Sequence, residues 1–472
     1  MLKRGLRAFP LPPSSTVGLN LSGKLIARTV HTVSTSLKMG ETYVNFFGGS
    51  PLNRLSWLRP SATFLNSIIA SPETRWLVLK GGLPLLTTGP KRSIARLSTA
   101  DVRPLLGAEP FFGQGERDGQ SAPDDVSVLE AARLRHARVV FLGLHEPGGS
   151  TIGTLPSSDF TNKEESPETV VSRIKGTAYF SVDVTDIDQA TVTSVLQNAQ
   201  ATKAGTTMEF SDARSAMGDF DGFQGALLAE TLTMTDWNAR NRFCPGCGSP
   251  LYSLWAGWKL TCSSLLPWAD NTGRTPCPSG KGLHNYSHPR TDAVVIMFAI
   301  DKSGEKILLG RNKRFPAGLY SALTGFIEPG ESFEDAVKRE MREEAGVTVW
   351  DVKYHSTQPW PYPANLMVGF YATADASQPI RTDLDNELED ARWYTREEIL
   401  YVLAHPEGTS FTRSDHQKMA AAAQEEKARN ENGVVQQQAP AVNGSVPLKF
   451  PPFTAIATVL ISEWAHGRIT NV

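Results

Sequence analysis

Between Ser332 and Gly346 the chain carries a helix pattern that places carboxylates where an amphipathic helix normally has apolar side chains. Ser332, with Asp335 three residues later, makes a capping pair, and Gly346 stands where a helix ends, so the spacing predicts one helix over Phe333–Ala345. At about 100° per residue, Phe333, Ala336, Val337 and Met341 form an apolar stripe, while Glu334, Asp335, Lys338 and Arg342 point away from it. Glu340, Glu343 and Glu344 project beside or along the stripe. Carboxylates crowded at the edge of a core repel one another and are costly to desolvate unless cations sit among them, and hard divalent ions would supply that charge. The alternative on angular grounds is a solvated helix laced by pairs of Glu340 with Arg339 or Lys338.

Gly325, Glu331, Arg339, Glu340, Met341, Glu343, Glu344, Gly346 and Val347 occupy every fixed position of the pattern GX5EX7REUXEEXGU, with U aliphatic. Chance would produce this in such a chain on the order of once in ten million. The stretch resembles the Nudix hydrolase family. The resemblance implies an α/β/α sandwich in which loop, helix and loop surround two or three Mg2+ or Mn2+ ions. By position it implies Glu340 and Glu344 as metal ligands and Glu343 as a further ligand or water-activating base. The backbone carbonyl of Thr324 resembles another ligand position, Glu331 an anchor for the loop, and Arg339 a residue that orients the glutamates through an ion pair.

Downstream, Gln358-Pro-Trp-Pro-Tyr-Pro363 is stiffened by its prolines and carries two large π faces. Read from the residues alone, it is either a stacking platform for a flat ring or a loop with its aromatics tucked into the core. It resembles the signature of the NAD(H) diphosphatase branch, which implies that Gln358, Pro359, Trp360, Pro361, Tyr362, Pro363, Ala364 and Asn365 help bind a dinucleotide. Thr357 and Asn365 stand where that branch more often has Ser. The resemblance further implies Glu387 as a metal ligand outside the box and Ala457 as a substrate contact. Glu387 among Asp383, Asp385, Glu389 and Asp390 also reads as one solvated acid of many, and Ala457 as packing. The implied reaction is metal-dependent hydrolysis of NADH or NAD+ to NMN(H) and AMP, with NAD-capped RNA as a further substrate and a homodimer as the assembly. The rivals are hydrolysis of another nucleoside diphosphate derivative such as ADP-ribose, and a zinc-ribbon reader of nucleotide or RNA ends.

All four cysteines fall between Cys244 and Cys277. The Cys244-Pro-Gly-Cys247 knuckle, with Cys262 and Cys277, suits one structural Zn2+ better than a disulfide framework. The gap from Cys262 to Cys277 is long for a zinc ribbon, so loss of the site or replacement of a ligand by His284 is the alternative. A closed four-thiolate site has no vacancy for substrate and belongs to stability and contacts. The branch commonly places a zinc ribbon here followed by Tyr-Pro-Arg, and this chain has His288-Pro-Arg290.

A length of 472 residues exceeds one compact core. The expected order is a basic leader over 1–40, an N-terminal Nudix-like domain over 41–240, a zinc ribbon over 241–289 and a catalytic Nudix domain over 290–472, with a low-complexity insertion at about 413–447. The strand-like runs Trp76–Leu79, Val139–Leu142 and Thr177–Val182 and a helix from about Phe223 to Ala239 make the first domain mixed α/β. Gly113–Asp125 and Ser157–Glu168 read as surface insertions, and no repeat is visible by period. With 47 basic against 49 acidic residues, bulk charge argues for no nucleic-acid partner. No apolar run approaches the roughly 20 residues that cross a bilayer. The leader carries Lys3, Arg4, Arg7, Lys24, Arg28 and Lys38 with no acid before Glu41, a mitochondrial transit composition unless Met39 is the start. A cytoplasmic or peroxisomal placement is the alternative, although the C-terminus is not of the Ser-Lys-Leu type.

Overall fold

The computed structural model describes residues 44–107, 109–113, 137–146, 165–267, 269–281, 287–313, 315–385, 387–410 and 448–469. The leader over 1–40, His284, the insertion at 413–447 and most of Gly113–Asp125 and Ser157–Glu168 lie outside these residues. Among the described residues, no helix is long and apolar enough to cross a membrane.

Two sheets dominate. In the first, β1 is Leu52–Asn53, β2 Arg75–Lys80, β3 Leu83–Thr87, β4 Ser93–Ile94, β5 Leu97–Ser98, β6 Arg138–His145, β7 Thr177–Asp183 and β8 Met208–Phe210. A two-stranded ribbon follows, β9 Leu251–Leu254 with β10 Lys259–Cys262. The second sheet holds β11 Asp292–Asp301, β12 Lys306–Asn312, β13 Leu323–Phe326, β14 Val349–Trp360, β15 Asn365–Ala374 and β16 Leu388–Thr395. The runs picked out by apolar content are the central strands: Trp76, Leu77, Val78 and Leu79 are all buried, as a strand covered on both faces requires.

The two sheets share one topology. In the first, β2 lies parallel to β7, takes β3 and β5 as antiparallel partners, and β6 flanks β7 while β8 flanks β3. In the second, β11 lies parallel to β15, takes β12 and β13, and β14 flanks β15 while β16 flanks β12. Each strand thus meets its counterpart in the same chain order. Helices cover both faces of both sheets. Ala62–Ile69 packs on one face of the first and the long helix Gly222–Arg240 on the other, whereas Phe333–Ala345 and Ile456–Ala465 take opposite faces of the second. The likeness of the first half to the second resides in strand order, which a search by sequence period does not detect.

The helix over Phe333–Ala345 begins and ends where its caps place it. Ser332 and Asp335 form a reciprocal capping box, and Gly346 closes the helix at φ 71°, a conformation that favours glycine. Ala336, Val337 and Met341 are fully buried against the sheet. Phe333 departs from the expected stripe at 37% exposure, with its ring tilted against that of Phe370 at 5.9 Å.

The ribbon docks on the first sheet through its hairpin. Phe141 donates its N–H to Ala256 O at 3.0 Å, Trp258 Nε1 donates to Phe141 O at 2.7 Å, and Asn238 Nδ2 on the long helix donates to Gly257 O at 3.0 Å. Gly257 sits at φ 90°, and a Cβ there would lie 2.7 Å from a Val140 methyl. Gly257→Ala is therefore expected to destabilise the protein by ~2 kcal/mol through backbone strain and overpacking. Guanidinium unfolding followed by tryptophan fluorescence checks this, and an unchanged midpoint would show that the hairpin tip does not hold the ribbon.

Candidate active site

The carboxylates flagged along the helix separate into different environments. Glu344, on the buried face at 3% exposure, accepts the backbone N–H of Thr324 at its Oε1, 3.1 Å away. Burial, reinforced by the charges of Glu340 and Glu387, pushes its carboxyl up to about 9. Glu340 is half-buried, and burial raises its pKa as well, with Glu343 and Glu387 adding to the rise. Glu343 is the open member, with its side chain 49% exposed. Glu387, from the turn before β16, is near enough for its charge to raise both Glu340 and Glu344.

Gly325 is required by this packing. It pairs with Val295 at the centre of the sheet, and a Cβ on it would lie 1.8 Å from Glu340 Cδ. The carboxylate of Glu340 therefore rests directly on bare backbone.

Arg339 holds the constellation. Its Nε and Nη2 donate to the two oxygens of Glu331 at 2.6 and 2.9 Å, Nη1 to Glu340 at 2.7 Å and to Glu343 at 3.0 Å, and Nη2 also to Phe326 O at 2.8 Å. Its hydrogen bonds hold the Glu331 carboxyl down at about 2. Glu331 also accepts the N–H of Glu328 at 2.9 Å, which closes the loop ahead of the helix. The bidentate fork joins this loop to the helix in the geometry that makes arginine, unlike lysine, suited to the task.

The donor set suits hard cations: oxygen ligands only, several of them desolvated, and mutually repelling unless positive charge lies between them. Glu340, Glu344 and Glu387 do not converge within 4.8 Å as a trio, whereas the four cysteines do. Cys244 and Cys277 place their sulfurs 3.6 Å apart and Cys247 and Cys262 3.4 Å apart, and none forms a disulfide. The long Cys262 to Cys277 gap thus returns to the knuckle, and burial pushes the Cys262 thiol up to about 12, a cost that a bound metal would remove.

The proline-aromatic segment differs from an open platform. Gln358 is 1% exposed; its Nε2 donates to Phe46 O and Thr454 O at 2.9 and 2.8 Å, and its Oε1 accepts Ile456 N–H at 2.9 Å. Its amide is spent on backbone and has no N–H left for a ligand. Trp360 and Tyr362 turn toward the first sheet, where each meets Phe47 edge-on, and Arg214 lies 4.2 Å from the Tyr362 ring centre. Pro361 and Ala364 are buried, Pro359 and Asn365 half-buried, and Pro363 exposed. Ala457 is buried in the core under its helix. The tucked-in alternative describes most of the segment, because the first half of the chain supplies a core that local pattern cannot reveal.

Two neighbours of the acids escaped the sequence reading. Phe326, 56% exposed, stands one residue from Gly325 at an unrestricted position of the box. Asp385 adds to the charge acting on Glu344. An aromatic next to the invariant glycine position was the available signal for the first, and crowding of acids around Glu387 hid the second.

The family described as NUDIX domain matches residues 289–414. A protein of Schizosaccharomyces pombe named NAD-capped RNA hydrolase is 32% identical over 426 residues, which cover 90% of this chain and 94% of that one. NAD-capped RNA hydrolase NPY1 of Saccharomyces cerevisiae is 29% identical over 77% of this chain and 88% of its own. NAD-capped RNA hydrolase NUDT12 of Homo sapiens is 45% identical over 188 residues, 40% of this chain and 38% of its own length. Identity maintained along nearly the whole of both chains in the fission-yeast comparison means that this protein belongs to the Nudix hydrolase family, in the branch that these relatives share.

Proposed function

We propose that the protein hydrolyses the pyrophosphate bond of NADH or NAD+ to NMN(H) and AMP, and that it acts on the same bond in NAD-capped RNA. The observation that carries this reading is the set of acids gathered over Gly325, and the names borne by the relatives support the choice of dinucleotide. Nudix hydrolases use divalent metals, and Glu340, Glu344 and Glu387 are the residues that would hold Mg2+ or Mn2+ here, with the Thr324 carbonyl alongside. When bound, such ions supply the charge that stabilises the pyrophosphate oxygens as the P–O bond breaks.

The remaining work falls to the chain. Glu343, open to solvent and oriented by Arg339, takes a proton from the attacking water, whose oxygen forms the new bond to phosphorus as the bridging oxygen leaves with the second nucleotide. Arg339 keeps Glu340 and Glu343 in register with the loop, and Glu331 fixes Arg339. The exposed ring of Phe326, one residue along β13 from Gly325 and on the other face of the sheet, offers a flat face to a base or nicotinamide ring. Cys244, Cys247, Cys262 and Cys277 would hold one structural Zn2+ per chain.

Incubated with NADH and Mg2+ or Mn2+, the purified protein is expected to yield NMNH and AMP, and Glu344→Gln to yield neither. No cleavage with either metal would sink the reading, and cleavage of ADP-ribose alone would move the substrate to another nucleoside diphosphate. Gly325→Ala is expected to fold and to lose ~100-fold in kcat, because it displaces Glu340 by more than the angstrom that matters in such sites; activity at the parent level would show that Glu340 tolerates the shift. Metal analysis should find one zinc per chain. Cys262→Ser should lower Tm while the fraction that remains folded keeps its kcat, and a kcat that falls in that folded fraction would place the ribbon in the reaction.

A further inference from the structure

The segment Asn45–Gly48, just ahead of the first sheet, is built into the second half of the chain. Asn45 is 4% exposed, and its Nδ2 donates to Ser356 Oγ at 3.0 Å and to Thr357 O at 2.8 Å, while its Oδ1 has no partner among the described residues. The two N–H bonds alone therefore orient the amide. Gln358 answers from the other side, with its own amide on Phe46 O, Thr454 O and Ile456 N–H. Each buried amide thus bonds the backbone of the other's chain neighbour, Asn45 that of Thr357 and Gln358 that of Phe46, and Gln358 also ties in the start of the helix Ile456–Ala465.

The turn that delivers these groups is strained. Gly48 N–H closes onto Asn45 O at 2.9 Å, and Phe47, the third residue of the turn, has φ 73°, a conformation costly for an aromatic residue. Phe47 stays there because its ring is buried between Trp360 and Tyr362. Phe46 is seated on Gly225 of the long helix, where a Cβ would come within 2.8 Å of its ring. Strain of this kind persists only where the surroundings over-determine it, and such positions cluster at functional sites.

Strand register connects the clasp to the acids. Gln358 pairs with Met367, Met367 with Val294, and Val294 with Phe326, so these four form one row across the sheet. Residues directly opposite one another share a face, and here it is the face covered by Ile456–Ala465. Three inter-strand steps of about 4.8 Å separate the ends, roughly 14 Å in all. Phe326, whose carbonyl accepts from Arg339, stands at one end, and the clasp stands at the other with exposed Phe453 next to Thr454.

We infer that Asn45 and Gln358 are positioning residues for the reaction, a clasp that fixes the far end of this row and makes Asn45–Gly48 part of the catalytic unit. The inference rests on the dinucleotide reading, in which a substrate held at the acids reaches round the β13 edge to exposed Phe326, on the face that the row and the clasp define. Loss of the clasp moves the far wall and leaves the metal-binding acids in place. Binding weakens and chemistry continues.

The test is the full-length Asn45→Ala protein, assayed for kcat and KM with NADH beside its Tm. The expected result is a KM raised about tenfold with kcat within about twofold of the parent. Ser356→Ala, which removes one of the two acceptors and keeps the other, should raise KM about threefold, and the double variant should be no worse than Asn45→Ala alone. A fall in Tm with KM unchanged overturns the inference, as does a loss of kcat at constant KM. If Asn45→Ala does not fold, Ser356→Ala decides by the same split. Should the parent leave NADH intact and cleave ADP-ribose, the dinucleotide reading fails, and the same variants assayed on ADP-ribose still score the clasp.

Discussion

The Arg339 guanidinium is the interaction on which the site depends. Three carboxylates within one and a half turns of helix, facing a fourth from the loop, would spread apart in water. Arg339 reaches Glu331, Glu340 and Glu343 together and adds the carbonyl of Phe326, so one planar cation fastens the loop, the helix and the strand end. Glu344 is outside its reach and is left buried with a single backbone donor, in the state that most favours a cation. The fixed arginine and the buried acid are complementary: one gives geometry, the other is a carboxyl that burial makes costly to ionise without a nearby cation.

That arrangement needs a sheet that brings Gly325 beneath Glu340, and the chain contains the same sheet order twice. At the place in the first sheet equivalent to the box helix, between β5 and β6, a short capped turn at Thr99–Val102 carries Asp101, used up in capping Ser98. The described part of that connection has no set of glutamates. The first half has instead become a wall: its long helix seats Phe46, its other elements receive Trp360 and Tyr362, and its β6 bulge receives the ribbon hairpin. One topology thus serves as catalyst in one copy and as scaffold in the other.

Local features were legible from residue order. The helix caps at Ser332 and Gly346, the apolar triplet Ala336, Val337 and Met341, the central strands of the first sheet and the cysteine cluster all follow from short-range periodicity and spacing, and the structure has them where the pattern puts them. The fixed positions of the box were equally plain, because each is constrained by contacts within about twenty residues of itself.

Angular position on a helix could not tell which glutamate is buried. Glu343 and Glu344 differ by one residue and by the whole of their solvation, and the difference comes from where β13 and Glu387 arrive. Gln358 and its prolines read equally well as platform or as joint until Asn45 and Phe46, more than three hundred residues earlier, were seen to meet them. Cys277 joins a knuckle more than thirty residues from its Cys244 partner for the same reason. Periodicity, capping and motif spacing act over one or two turns of chain and are written in consecutive residues. Burial, charge neutralisation and the spending of a side-chain amide depend on partners brought together by packing, and local sequence carries no record of those partners.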